Sequence, residues 1–278
     1  MTSFVFFAVL GAAFLHAGWN ALVRVGDNKL TTMMILTLVQ GGMGAVLAAT
    51  MGWPATEVWP WLLASGVFHA GYKIFLAFAY EHGDLSRVYP IARGAAPLIV
   101  LAVSAVILGE VLATREVVAV LVLGAGILLM GQGAVRSGES RKLVPFALGS
   151  AAMTAGYSLV DGLGARVAGD AALYVAWLFV MDAVLFTPVL IALRGTSVLS
   201  ASRRGWALGG AAAMLSYGAY AVVVWAMTEA PIALVTALRE TSILFAVLMG
   251  WMLFGERMDT WKTGAVVLIL TGVVMLRL

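Results

Sequence analysis

Apolar runs of about 20 residues dominate this chain and limit what it can fold into. A helix of that length crosses the roughly 30 Å hydrocarbon core of a membrane. Only short polar breaks separate the runs, which leaves no room for a soluble domain between them. We predict ten membrane-spanning helices, with ends defined to within two to four residues: Phe4–Val23, Leu30–Thr50, Trp59–Tyr80, Arg87–Leu108, Glu116–Gln132, Val144–Ala165, Ala171–Leu193, Trp206–Met227, Pro231–Phe254 and Thr260–Leu276.

Composition agrees with an integral membrane protein. Hydrophobic residues make up 62% of the 278 positions and charged residues 11%, more apolar than a water-soluble domain of this size requires. The first run has no basic stretch before it and no small-residue cleavage site after it, so we expect it to be retained as a span. The chain has no cysteine and only three scattered histidines, His16, His69 and His82. We therefore expect no disulfide, metal site or cofactor, and we find no nucleic-acid motif.

The ten runs form two sets of five that resemble each other. Superposing Gly109-Glu110 on Gly255-Glu256 gives an offset of 146 residues and aligns Arg93 with Arg239. Further matches are HAGWN at 16–20 with TAGYS at 154–158 (offset 138), Trp61 and Tyr72 with Trp206 and Tyr217 (offset 145), and, in a competing register of 141, Pro-Ile-Ala at 90–92 with 231–233. We predict a first repeat over residues 1–133, a connecting loop over 134–143 and a second repeat over 144–278.

Five spans per repeat is an odd number, so the second copy is expected to be inverted across the bilayer. Inverted repeats are typical of secondary transporters, whose binding sites lie near the midplane between the two copies. The loop charges predict the orientation, because lysine and arginine collect on the cytoplasmic side. Eleven basic residues fall in the loops after odd-numbered spans, and only Arg115, Arg166 and Arg277 fall on the other side. Both termini are therefore expected outside.

Arg93 and Arg239 each lie within a few residues of the middle of an apolar span, where a guanidinium is costly. Two of them at matching positions favour an anionic ligand such as a carboxylate, phosphonate or phosphate, which guanidinium binds bidentately. A structural ion pair between helices is the alternative. Glu240 follows Arg239 directly and projects about 100° away on a regular helix, so we expect it to pair with Lys73 or Arg93 instead.

Other polar side chains also fall within the spans. His69 and Lys73 lie four residues apart, so we expect a neutral histidine, or a carboxylate that reaches Lys73 from another span. Asp182 lies at the centre of its span and needs protonation or a partner, such as Arg166 or a residue of another helix. The candidate substrate-binding residues are His16, Trp19, Asn20, His69, Lys73, Tyr89, Arg93, Tyr157, Tyr217, Tyr220, Arg239 and Glu240, and the candidates for proton coupling are Asp161, Asp182 and Glu240. Polar contacts between helices are the alternative role for all of them.

Four segments resemble the EamA-type branch of the drug/metabolite transporter superfamily: HAGWNALVR, DLSRVYPIARG, LVDGLGAR and PIALVTALRETS. The Gly-Glu pair before the last span of each half also resembles that branch. The resemblance covers essentially the whole chain. It implies an all-helical bundle around a central cavity that opens to alternate sides of a bacterial inner membrane. It also implies cytoplasmic termini, in conflict with the loop charges.

The sequence favours a secondary carrier of a small polar metabolite, either an amino-acid-like zwitterion or an organic or phosphonate anion. The spans hold three fixed cations (Lys73, Arg93, Arg239) and three carboxylates (Asp161, Asp182, Glu240), whereas a cation-extruding pocket would have an excess of carboxylates and aromatic rings. Multidrug or organic-cation efflux is the alternative. An intramembrane enzyme is disfavoured because no catalytic motif occurs. A proton or a counter-substrate would be the coupling partner, and the chain would be a monomer or a homodimer.

Overall fold

The structure, a computed structural model, describes residues 1–25, 29–82, 85–135, 143–254, 258 and 260–278. Within its helices the side chains of residues 24, 29, 77, 80–82, 85–90, 131–135, 143, 253 and 254 lie outside the description. The loop predicted at 134–143 and the second Gly-Glu pair at 255–256 also lie largely or wholly outside the described residues, so the repeat boundary stays a prediction.

Helices account for nearly all of the described chain, and no strand occurs in that part, which agrees with the predicted all-helical class. The elements are α1 Ser3–Val25, α2 Lys29–Met51, α3 Trp59–His82, α4 Leu85–Val106, α5 Thr114–Val135, α6 Leu143–Ala168, α7 Ala171–Arg194, α8 Arg203–Glu229, α9 Ile232–Arg239, α10 Ser242–Phe254 and α11 Thr260–Arg277, with short 3-10 turns at Thr56–Val58 and Thr196–Leu199.

Six of these elements are long and apolar enough to cross a membrane: α1, α2, α7, α8, the pair α9 and α10 taken together, and α11. They indicate a multi-pass membrane protein. The predicted number of ten spans is not established by these criteria, although each predicted run corresponds to one helix, or to the α9–α10 pair, with ends that differ by at most a few residues.

The predicted ninth span, Pro231–Phe254, corresponds to one apolar span, but two helices form it in place of one. Here α9 ends at Arg239 and α10 begins at Ser242. In the turn between them the amides of Glu240 and Thr241 donate to the carbonyls three residues before, and the Thr241 hydroxyl donates to the Leu238 carbonyl at 2.7 Å. A hydroxyl that bonds its own backbone competes with regular helix hydrogen bonding, so this segment tightens without a proline or a glycine.

The two halves interleave, because the most extensive helix contacts run between them. Helix α1 packs on α8 and α3 packs on α6, while α2 pairs with α7 and α5 with α11. If each of the first five predicted spans is exchanged with its counterpart among the last five, the α1–α8 contact becomes the α3–α6 contact. The α2–α7 and α5–α11 contacts stay the same under this exchange. The contacts therefore have the pattern that a two-fold relation between the halves would give, and inversion of the repeat stays a prediction.

Both chain ends lie at the same end of the bundle. The Arg277 guanidinium donates to the Ser3 hydroxyl at 2.9 Å, and the Phe4 ring packs edge-on against Trp225 near the end of α8. The Arg166 side chain closes the same end, since it donates to the Met227 and Ala230 carbonyls at 2.9 and 3.0 Å. This end holds the chain ends and the connections between α4 and α5, α6 and α7, and α8 and α9.

Candidate functional site

The structure buries all six charged residues that the sequence places inside spans. Each has less than one-tenth of its surface exposed, and they come from α3, α4, α6, α7, α9 and the turn after α9: Lys73, Arg93, Asp161, Asp182, Arg239 and Glu240. Buried charges must be paired or hydrogen-bonded to be tolerated. Their contacts divide them into three groups.

The first group, which we call the arginine cluster, consists of His16, Arg93, Arg239 and Glu240. The Glu240 carboxylate lies between the two arginines. Its Oε2 is 2.9 Å from Arg93 Nε, and its Oε1 accepts from Arg239 Nη2 at 3.0 Å and from Nε at 3.2 Å. The contact with Arg93 meets the distance of an ion pair without the alignment of a hydrogen bond. One carboxylate thus serves two guanidinium groups, which leaves the cluster with one net positive charge.

The expectation that Glu240 pairs with another helix is confirmed by its contact with Arg93 on α4. The expectation that it does not pair with Arg239 is wrong. That expectation assumed a regular helix, whereas Glu240 lies in the turn that follows the end of α9. The turn and the length of the arginine side chain allow both contacts at once.

Donors face both ring nitrogens of His16. Arg93 Nη2 lies 2.6 Å from Nε2, and Trp19 Nε1 lies 3.2 Å from Nδ1. A neutral imidazole has one acceptor nitrogen and an imidazolium has none. His16 in this setting is therefore neutral, and the surroundings of the ring contain more donors than acceptors. Asn20, predicted to share this face, donates instead to the His16 backbone carbonyl at 2.7 Å.

The second group, the aspartate cluster, consists of His69, Asp161, Tyr174 and Tyr220. Asp161 is fully buried. Its Oδ1 accepts from the Tyr174 hydroxyl at 3.2 Å, and its Oδ2 accepts from the Tyr220 hydroxyl and lies 3.1 Å from His69 Nε2. Because an ionised carboxylate only accepts, His69 donates through Nε2. Sequence reasoning missed Tyr174, since one aromatic residue in an apolar run carries no periodic signal.

Tyr157 connects the arginine and aspartate clusters. Its ring stacks on the His69 imidazole, with centroids 4.2 Å apart and planes inclined by 16°. The Arg239 guanidinium lies over the same ring at 5.6 Å from its centroid, within the range of a cation–π contact. Tyr157 therefore contacts both a fixed positive charge of the arginine cluster and the histidine of the aspartate cluster.

The third group is the ion pair between Lys73 and Asp182, 2.6 Å apart between α3 and α7. Lys73 also donates to the Thr37 hydroxyl at 2.9 Å and lies 4.4 Å from the centre of the Phe186 ring. The expected carboxylate from another span is thus confirmed and identified. The proposed partnership of Asp182 with Arg166 is wrong, because Arg166 contacts Glu110 at 3.3 Å at the end of the bundle.

One of the predicted aromatic residues stands apart from these groups. Tyr217 packs against Phe179, with centroids 4.7 Å apart, and its buried hydroxyl has no hydrogen-bond partner among the described residues. The side chain of Tyr89 lies outside the described residues, so its predicted role is untested.

A pocket of about 740 Å³ opens away from the three groups, at the end of the bundle that holds the chain ends. Its lining includes Arg166, Asp170, Trp225, Thr228 and Glu229. Asp170 caps the start of α7 through two backbone amides, so its carboxylate is engaged. We assign the candidate site to the buried charged groups, because the paired charges and the aromatic contacts between them occur there.

Comparison with known proteins gives a family and a fold. Residues 141–278 match the model of the EamA-like transporter family. A solved structure described as "Crystal structure of protein" is similar over 100% of this chain and 99% of its own, with a TM-score of 0.78 and 20% sequence identity. No curated protein matches. The structural match shows a shared fold over the whole length of the chain.

Proposed function

Residues 141–278 belong to the EamA-like transporter family, part of the drug/metabolite transporter superfamily, and we propose that the chain is a secondary carrier of a small anionic or zwitterionic metabolite. Its binding site would be the arginine cluster, with access alternating between the two sides of a bacterial inner membrane. The helix contacts between the halves support a two-fold arrangement around such a site.

The observation that carries this proposal is the sharing of Glu240 by Arg93 and Arg239. A guanidinium presents five donors and no acceptor, and among the described residues Arg239 donates only to Glu240. Within the cluster one buried carboxylate faces two guanidinium groups. A carboxylate, sulfonate or phosphonate group supplies both the acceptors and the charge.

The irregular turn after α9 supports the same location. Its backbone hydrogen bonds join residues three apart, as in a 3-10 helix, and transporters commonly bind their substrates where a spanning helix departs from regular geometry. Next to the turn between α9 and α10, the Thr236 and Ser242 hydroxyls are buried without a hydrogen-bond partner among the described residues. Unpaired buried hydroxyls are expensive, and a polar ligand at the turn would satisfy them.

Organic-cation efflux has less support, because the buried carboxylates are already engaged. Asp182 forms an ion pair with Lys73, Asp161 accepts from two tyrosines, and Glu240 lies between two arginines. A cationic ligand would have to displace Lys73 from Asp182 or an arginine from Glu240, or compete with the hydroxyl and imidazole donors that already engage Asp161. The dependence of transport on Asp182, which the efflux alternative predicts, is the property that separates the two functions.

A thermal-shift screen of the purified protein tests the proposal. The probes are ethanesulfonate, acetate, taurine and tetramethylammonium, which supply anions, a zwitterion and a cation of similar size. We expect the Tm to rise with at least one anion or zwitterion, since a ligand that binds only the folded state stabilises it by mass action. Stabilisation by tetramethylammonium alone would contradict the proposal and favour cation efflux.

Variants of the arginine cluster then locate the site. Arg93→Gln and Arg239→Gln should each abolish the shift, and uptake of the stabilising probe into proteoliposomes should be lost. Arg115→Gln is the matched control, because Arg115 is exposed at the start of α5 and its loss removes the same charge from the surface. Undiminished binding in both cluster variants would remove the arginines from the site.

A further inference from the structure

The buried charges of the candidate site balance before any substrate enters. The arginine cluster carries one net positive charge, the aspartate cluster carries one negative charge when His69 is neutral, and Lys73 cancels Asp182. A zwitterionic substrate preserves this balance. A monoanion adds an uncompensated negative charge, which the low-dielectric interior disfavours.

A proton restores the balance if a group near the anion can accept one. His16 is unsuited, because donors face both of its ring nitrogens. Lys73 and the arginines already carry their protons, and Asp182 holds Lys73 in a close ion pair. His69 is suited, because its Nε2 contacts the Asp161 carboxylate and its Nδ1 has no hydrogen-bond partner among the described residues. A proton on Nδ1 converts the contact into an ion pair.

Several titratable or charged groups surround His69 and Asp161. From the neighbouring elements these are Tyr72 and Lys73 on α3, Arg93 on α4, Tyr157 on α6, Tyr174 and Asp182 on α7, Tyr217 and Tyr220 on α8, and Arg239 with Glu240 at the end of α9. The Arg239 guanidinium lies over the Tyr157 ring that also stacks on the His69 imidazole. An anion bound at the arginine cluster therefore places a negative charge close to His69, and a proton on the imidazole compensates that charge.

We infer that an anion bound at the arginine cluster is carried together with one proton, which is held by the His69–Asp161 pair. The inference rests on the proposed function. The proton comes from water on the side from which the anion enters, forms an N–H bond at Nδ1 of His69, and leaves to water on the other side with the anion. A zwitterion with the same acid group binds without it.

Reciprocal linkage makes this measurable. If the anion favours protonation of His69, protonation favours the anion by the same factor. Ethanesulfonate and taurine form a matched pair, since both carry a sulfonate and only taurine adds an ammonium. Neither titrates between about pH 6 and 8, so protons exchanged in that range belong to the protein.

The experiment is calorimetric titration of the wild-type protein in buffers of different ionisation enthalpy. We expect uptake of about one proton per ethanesulfonate bound, and a Kd that rises by up to about tenfold per pH unit as the pH increases. Taurine should bind with no proton uptake and a Kd independent of pH. Equal proton uptake for both probes, or none for either, would overturn the inference.

Variants then identify the proton site. His69→Gln should abolish the pH dependence of ethanesulfonate binding, and Asp161→Asn should weaken it because the imidazolium loses its counter-charge. The exposed control Glu57→Gln should retain it. If both changes at the aspartate cluster keep the proton uptake, the assignment is wrong.

The outcomes separate the inference from the proposed function. Arginine-dependent binding of ethanesulfonate without proton uptake overturns the proton site and leaves the carrier proposal standing. Failure of the wild-type protein to bind any probe that carries an acid group overturns both. The comparison of the two sulfonates needs no variant, so misfolding of His69→Gln does not remove the test.

Discussion

At the scale of single residues, Glu240 joins two helices of the buried site, because its carboxylate contacts the guanidinium groups of Arg93 and Arg239. Glu240→Gln keeps the shape of the side chain and removes the charge. Arg239 would then lose the one carboxylate that it contacts among the described residues and Arg93 would lose an ion pair, and breaking a buried ion pair in this way costs about 3–5 kcal/mol. We expect a large fall in Tm, measured by thermal unfolding in detergent.

Glu57→Gln is the matched control for this change, since Glu57 is exposed before α3 and substitutions of that kind alter stability by about 0.5 kcal/mol or less. Ethanesulfonate should raise the Tm of Glu240→Gln by more than it raises that of the wild type, because the anion replaces the lost charge. An unchanged Tm for Glu240→Gln would mean that the arginines do not depend on its carboxylate.

Residue types predicted the buried charges well and their pairing only in part. A lysine inside an apolar run requires a counter-charge, so a carboxylate near Lys73 was predictable, and the structure identifies it as Asp182. The pairing of Arg239 with Glu240 depends on the end of α9, and the role of Tyr174 depends on how α7 packs against α6. Neither of these two contacts can be predicted from the local sequence pattern.

At the scale of helices, close packing of α2 against α7 depends on glycines on one face of α2. A Cβ added at Gly44 would lie 2.4 Å from the Ala176 backbone carbonyl oxygen, whereas one added at Gly42 would meet nothing within 4 Å. Backbone cannot yield as a flexible side chain does, so Gly44→Ala must separate the helices. Small residues allow membrane helices to approach closely, and their enlargement destabilises the contact.

We therefore expect Gly44→Ala to lower the Tm and Gly42→Ala to leave it unchanged or raise it slightly, because alanine favours a helix by about 1 kcal/mol over glycine. Both residues lie on the same helix and receive the same methyl group, so the pair isolates the helix contact. Equal effects of the two substitutions would contradict the described register of α2 on α7.

The ends of the helices were largely predictable, since apolar length and polar breaks locate them directly. The interruption after Arg239 was not, because the segment from Leu238 to Ser242 contains neither proline nor glycine. Its cause is a set of short-range hydrogen bonds, including that of Thr241 to Leu238, together with the requirement that Glu240 reach Arg93. The second factor is tertiary and cannot be predicted from periodicity.

At the scale of the whole molecule, the contact between Arg277 and Ser3 places both chain ends at one face of the bundle. An even number of crossings requires this arrangement. Which face of the membrane it is depends on the loops, where lysine and arginine favour the cytoplasm. In the predicted topology, eleven lysines and arginines of the loops lie on the side opposite to the chain ends and three lie on the same side, which predicts that both termini are outside.

Cysteine labelling tests that orientation cleanly, because the chain has no cysteine of its own. Thr2→Cys and Leu278→Cys should both react with a membrane-impermeant thiol reagent added to intact cells, since both positions are exposed. Ser200→Cys, exposed after α7 at the opposite face, should react only after the membrane is permeabilised. The reverse pattern would show that the termini are cytoplasmic, as the family resemblance implies, and that the loop charges mislead. Reaction of only one terminus would contradict an even number of spans and the contact between the chain ends.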